Sequence, residues 1–187
     1  MFIHINSWPG AGKKTIGVLL ASRLKARFVH NHHLLDLVDA CCDRSDAQRQ
    51  PLYDRVREAT YECLAHRPVG EPLVMTNAIA KDEITSWAQI CALARCRGDV
   101  FVPVVLTIDA DENRIRLLDP HRTGSKLKSV QILDALRAKH ELLVPLDIAT
   151  TLVLDVSRLS PEVAADVIEA HLQRIPGIST GTVPSAP

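Results

Sequence analysis

The chain has 187 residues, 47% of them apolar, and its 22 basic and 22 acidic side chains cancel to zero formal charge. That length suits one domain with a sound core, the balanced charge excludes the basic excess of a nucleic-acid binder, and no apolar run approaches membrane-spanning length. The opening Met1-Phe2-Ile3-His4 lacks the charged-then-apolar plan of a signal peptide, and an odd count of five cysteines argues against a disulfide framework, so a cytoplasmic protein is expected.

A short apolar run, Phe2 to Asn6, reads as the first strand. Ser7-Trp8-Pro9-Gly10-Ala11-Gly12-Lys13-Lys14-Thr15 follows, and then an amphipathic stretch with Ile16, Leu19, Leu20 and Leu24 on one face. Strand, glycine-rich turn and helix together form the context of a phosphate-binding loop. Glycine lets backbone N–H groups curl around phosphate oxygens, and the helix N-terminus adds partial positive charge. Gly10, Ala11, Gly12, Lys13, Lys14 and Thr15 are therefore the expected nucleotide-binding residues, with Lys13 reaching the β- and γ-phosphates. Two positions depart from the general pattern. Ser7 stands where the first Gly belongs, and Lys14 stands where the Mg²⁺-binding Ser or Thr belongs.

Arg27 to His30 reads as a second strand that ends in His30-Asn31-His32-His33. If a helix starts near His32, Asp36 lies one turn on and shares its face. His32 is then a candidate general base, with Asp36 fixing its tautomer. A helix over Leu52, Val56, Ala59, Cys63 and Leu64 precedes a third strand, Pro72 to Asn77, which ends without an acid. Ile84 to Ala94 is helical, and Val100 to Ile108 is the longest strand-like run, blemished by Pro103. Cys63 and Cys91 fall on apolar helical faces, which predicts small buried hydrophobes.

Helical segments follow at 111–118 and 129–141. Between and around them, Arg114, Arg116, Arg122, Lys126 and Lys128 place five basic residues within fifteen positions. Pro120 and Gly124 interrupt the helix there. A lid over about 114–128 can close on a nucleotide and neutralise charge on a transferred phosphoryl group. Thr151 to Asp155 is the fifth strand. Ser160-Pro161-Glu162 opens the last helix with an N-cap, a proline at N1 and an acid in the first turn. The Ser/Thr/Gly/Pro-rich tail over 176–187 is expected to be disordered.

Strands alternating with helices predict an α/β fold with a parallel sheet, and ligands in such sheets bind beyond the strands' carboxyl ends. The reading is a domain over 1–175 that binds a nucleoside triphosphate with Mg²⁺ and transfers the γ-phosphate to a hydroxyl of a small molecule. Lys13, His32, Asp36 and Arg122 are its catalytic candidates, and Arg116 joins the nucleotide-binding set. No protein metal site, nucleic acid or membrane is expected, and oligomeric state leaves no signature. A nucleotide-dependent switch without phosphotransfer is the alternative, favoured by the missing acid at the third strand. A kinase of nucleic-acid ends is disfavoured by neutral charge and by an aromatic set of only two Trp, two Tyr and three Phe.

Ser7 to Thr15 resembles the Gly-x-Pro-Gly-x-Gly-Lys-x-Thr loop of adenylate kinases and other small P-loop kinases. The His30-Asn31-His32 strand end, the Arg122–Lys126 spacing, and Leu152 to Asp155 before Ser160-Pro161-Glu162 are similar to a shikimate-kinase-like, AAA-type ATPase branch. That branch is related to chloramphenicol phosphotransferase and the tunicamycin-resistance protein. The resemblance spans roughly residues 1–175. It implies ATP as the nucleotide, a three-layer P-loop NTPase fold, a five-stranded parallel sheet in the order 2-3-1-4-5, and a substrate over strands two and three.

Overall fold

The computed structural model describes residues 1–68, 70–119 and 127–178. Five strands, β1 (Phe2–Ser7), β2 (Arg27–His30), β3 (Leu73–Asn77), β4 (Phe101–Thr107) and β5 (Leu152–Asp155), form one sheet in the order β2-β3-β1-β4-β5. Every pairing is parallel. The helices are α1 (Lys13–Arg23), α2 (Asn31–Cys41), α3 (Arg49–Ala65), α4 (Ile84–Arg97), α5 (Ala110–Leu117), α6 (Val130–Lys139) and α7 (Pro161–Leu172).

β1 is buried along its whole length, and its residues alternate between two cores. Ile3 and Ile5 meet Ile16 and Leu20 of α1 and Ala164, Ile168 and Leu172 of α7. Phe2 joins Leu64 of α3 and Ile90, Leu93 and Ala94 of α4 on the opposite face. Burial on both faces explains why β1, β3 and β4 read as nearly continuous apolar runs, while the edge strands β2 and β5 keep partly exposed positions. Gly17 lets α1 approach the sheet closely, since a Cβ there would lie 2.6 Å from the ring of Phe28.

Pro103 is accommodated inside β4 by where its neighbour begins. Thr150 Oγ1 donates to the Phe101 carbonyl, which marks Phe101, and by alternation Pro103, as facing the β5 side. β5 pairs only from Val104 onward, so no ladder acceptor waits for the missing N–H. The expected N-cap of α7 forms as Ser160 Oγ accepts from Val163 N at 3.2 Å.

Two sequence expectations need correction. Cys63 is exposed, because the inward face of α3 runs through Tyr53, Val56, Arg57, Thr60, Tyr61 and Leu64, and Cys91 is only partly buried, because Ile90, Leu93 and Ala94 take the buried face of α4. The two tyrosines carry the packing that the apolar spacing assigns to Ala59 and Cys63. The stretch between β2 and β3 holds two helices, α2 and α3, and the first begins at Asn31, beside His32. The tail beyond Ile178 and the central part of the expected lid, residues 120–126, lie outside the described residues. Among the described residues no helix is long and apolar enough to cross a membrane.

Candidate functional site

The loop between β1 and α1 is built by two glycines with left-handed backbone, Gly10 at φ +93° and Gly12 at φ +91°. Gly12 is the N-cap of α1, so the first free N–H groups of that helix open onto the loop. Lys13 folds back over the loop and donates from Nζ to the carbonyls of Trp8 at 3.3 Å and Ser7 at 3.4 Å. An ammonium held this way sits where phosphate oxygens would collect. Ala11 is fully buried and contributes backbone and packing.

The carboxyl end of β2 carries the histidines. His30 N-caps α2, and its backbone N–H donates to His33 Nδ1 at 3.5 Å. The His30 and His33 rings lie 3.7 Å apart, and His32 is 6.0 Å from His30. His30 is buried, and its Nδ1 has no partner among the described residues. Burial, then the charges of His33, Lys14 and His32, push its pKa down to about 4, which leaves it neutral at pH 7. Burial and Lys14 also lower His33. Tyr53 Oη donates to Asn31 Oδ1 at 2.7 Å and ties α3 to this helix start.

Loop and histidines line the same cavity, of about 250 Å³. Gly10, Gly12, Lys13, Lys14 and Thr15 face it from one wall, His30 and His32 from another. Thr76 at the end of β3 forms its floor. Asp36 lies on the exposed side of α2, one turn beyond His32, and its charge counteracts the lowering at His30 and His33. Arg116 is not part of this cavity wall. Its guanidinium pairs with Glu112 at 2.7 Å and donates to the carbonyls of Val156 at 2.8 Å and Ser157 at 3.0 Å. Arg122 lies outside the described residues.

The groups that hold the loop from behind carry no signal in the sequence. Asn113 of α5 is fully buried, and its Nδ2 donates to the Pro9 carbonyl at 2.8 Å. Its Oδ1 accepts from Arg137 of α6 at 3.0 Å, and Arg137 also reaches the Ile108 carbonyl at 3.3 Å. A Cβ on Gly10 would fall 2.5 Å from Asn113 Nδ2, so the glycine is required twice, by its backbone angle and by this close approach. Asn6 at the end of β1 does similar service on the other side. It accepts from Ile79 N at 2.7 Å and donates to the carbonyls of Ile79 at 3.0 Å and Leu143 at 3.1 Å.

For Mg²⁺ the cavity provides the hydroxyls of Thr15 and Thr76 and, among its described lining, no carboxylate. Among the described residues no cluster of His, Cys, Asp or Glu is arranged to hold a metal by itself. Such a donor set fits an ion that arrives on nucleotide phosphates with much of its water, and does not fit a resident metal.

No protein-family model matches the sequence, and no curated protein matches it. Solved structures do resemble it. A putative kinase from Chloroflexus aurantiacus superposes with a TM-score of 0.67 at 17% identity, over 91% of this chain and 98% of that one. A gluconokinase from Sinorhizobium meliloti gives 0.62 at 21% identity, over 92% and 91%. The tunicamycin resistance protein of Deinococcus radiodurans gives 0.57 at 18% identity, over 90% and 93%. With its parallel sheet in the order β2-β3-β1-β4-β5 and helices on both faces, the chain has the fold of the small P-loop kinases.

Proposed function

We propose that this protein binds ATP, with Mg²⁺ carried on the nucleotide, and transfers the γ-phosphate to a hydroxyl of a small molecule, a metabolite or antibiotic. The observation that carries the reading is the shared cavity: the phosphate loop forms one wall and the histidine-bearing end of β2 another. A donor and an acceptor bound there meet end to end, as phosphoryl transfer requires.

Backbone N–H groups from Gly10 to Thr15 hold the phosphates, and Lys13 neutralises the β- and γ-oxygens. The acceptor oxygen forms a bond to the γ-phosphorus while the bond from that phosphorus to the β–γ bridging oxygen breaks. ADP leaves with the bridging oxygen, and His32 takes the hydroxyl proton. Asp36 supports His32 from the next turn of α2. His30, neutral and buried, positions the acceptor as a hydrogen-bonding partner. Arg122 and Arg116 supply charge from the lid side. The reading includes a cytoplasmic setting, with no nucleic-acid or membrane partner.

A second reading, a nucleotide switch without an acceptor, is favoured by one observation: β3 ends in Thr76-Asn77 with no carboxylate. ATP labelled at the γ-phosphate and mixed with pooled hydroxyl compounds separates the two. Label in an organic product supports the kinase; label released only as free phosphate, or retained in ATP, supports the switch.

A further inference from the structure

Position 14 of the phosphate loop departs from the general pattern in charge as well as in shape. A Ser or Thr there offers its hydroxyl to Mg²⁺, and this chain carries Lys14 instead. Lys14 is an exposed residue in the first turn of α1, and it lines the cavity together with Lys13, His30 and His32. Its positive charge contributes to the lowering of both His30 and His33, so the ammonium reaches toward the histidine side of the loop. Lys13 lies differently, folded over the loop toward the Trp8 and Ser7 carbonyls. Two cations therefore address the phosphate cradle from two directions.

The rest of the lining does not restore the missing ligand at that place. Thr15 is the next residue of α1, and consecutive helical side chains point about 100° apart, so its hydroxyl takes another direction. Thr76 offers a neutral hydroxyl from the floor, at the end of β3. Asn77, the residue after it, is committed to the interior. Its Oδ1 accepts from His4 Nε2 at 3.1 Å, and a hydrogen bond also joins it to Tyr61. The described lining holds no carboxylate. Asp36, whose charge also reaches His30 and His33, stands outside that lining on the exposed side of α2. An ammonium and a divalent cation on the same phosphate oxygens repel each other. Metal-free ATP carries more negative charge than its Mg²⁺ complex, so two lysines attract it more strongly, and the ion gains no anionic ligand here to compensate.

We infer that Lys14 takes the place of the loop's metal ligand, and that the protein therefore binds the metal-free nucleoside triphosphate at least as tightly as its Mg²⁺ complex. This rests on the nucleotide-binding half of the kinase reading and deepens it. An ion that arrives on the nucleotide is tolerated, but the loop's hold does not depend on it. By reciprocity, ATP on the protein holds Mg²⁺ no more tightly than ATP in solution.

Calorimetric titration with ATP at a single ionic strength, once with excess Mg²⁺ and once with EDTA, tests this without any turnover. The unaltered chain is expected to bind ATP at least as tightly in EDTA, by a factor of up to about ten. Position 14 is exposed, so substitutions there leave the core intact. Lys14→Ser restores the ordinary hydroxyl ligand and is expected to reverse the order, losing about tenfold in EDTA and binding ATP more tightly with Mg²⁺ than without. Lys14→Gln removes the charge without adding a hydroxyl, and is expected to lose affinity in EDTA alone. Weaker binding in EDTA by the unaltered chain, an unchanged ratio between the two buffers in Lys14→Ser, or undiminished EDTA affinity in Lys14→Gln would overturn the inference. A parallel assay for labelled product keeps the two claims apart. ATP binding that requires Mg²⁺, with labelled product formed, sinks this inference alone. Metal-free binding as expected, with no labelled product from ATP and Mg²⁺, sinks the kinase reading and leaves the role of Lys14 standing. Absence of ATP binding in both buffers sinks both.

Discussion

The two flanks of the phosphate loop are built on opposite principles. Toward β4 and β5 the loop is clamped: Arg137 holds Asn113, Asn113 holds Pro9, and Gly10 fits against the asparagine with no room for a methyl group. Toward β2 a polar group is left open: His30 Nδ1, on a residue that lines the loop's cavity, is a buried side-chain atom without a partner among the described residues. A satisfied, close-packed flank fixes geometry, while an unsatisfied one is ready to accept a partner. The contrast separates the work expected of each side: phosphate positioning on the first, acceptor recognition on the second.

The largest effect is expected from the open flank. His32→Ala should lower turnover by about 10²- to 10⁴-fold, the usual contribution of a general base. Steady-state kinetics on labelled ATP would show it, and wild-type turnover would remove His32 from the mechanism. On the clamped flank, Gly10→Ala should cost about 2–5 kcal/mol of stability, summing the left-handed backbone penalty and the clash with Asn113. Urea unfolding midpoints report it directly, and a cost under about 0.5 kcal/mol would show that the loop relaxes freely.

Acid provides a further test, carried by the buried histidines. Burial pushes His4 down from 6.5 to about 4, and His30 behaves likewise. A depressed folded pKa means that the stabilisation is present above 6.5 and is lost as pH falls toward 4, because only the unfolded chain takes up the proton readily. For His4 alone the loss between about pH 7.5 and about pH 5 should be about 2 kcal/mol. A stability profile flat over that window would contradict the buried, neutral imidazoles. The smallest of these effects is expected from Asn113→Ala. It leaves the Pro9 carbonyl and one Arg137 donor unpaired, at about 1–3 kcal/mol. Nucleotide affinity should fall with it, since the loop loses its brace.

Much of this molecule is legible in its residues. The loop announces itself because glycine and lysine spacing reports a local backbone need, and all five strands stand out as apolar runs. What stays hidden is tertiary. Asn113 lies in a charged run with nothing local to distinguish it, and its partner Pro9 is 104 residues away. His140 and Asp82 are 58 residues apart and meet only because a two-stranded pairing joins their segments. Apolar spacing misplaces Cys63 because it undervalues tyrosine, whose ring packs inward while its hydroxyl finds a polar partner. His32 and Asp36 are legible because the proposed partnership spans a single helical turn.

The central claim is that one cavity holds both halves of a transfer reaction, with Lys13 serving the donor and His32 the acceptor. Measuring ATP affinity and labelled-product formation together in Lys13→Ala and His32→Ala tests it most directly. The account predicts that Lys13→Ala loses both nucleotide affinity and product, while His32→Ala binds ATP like the unaltered chain and forms almost no product. Equal loss of ATP affinity in the two variants, or undiminished product from His32→Ala, would contradict it.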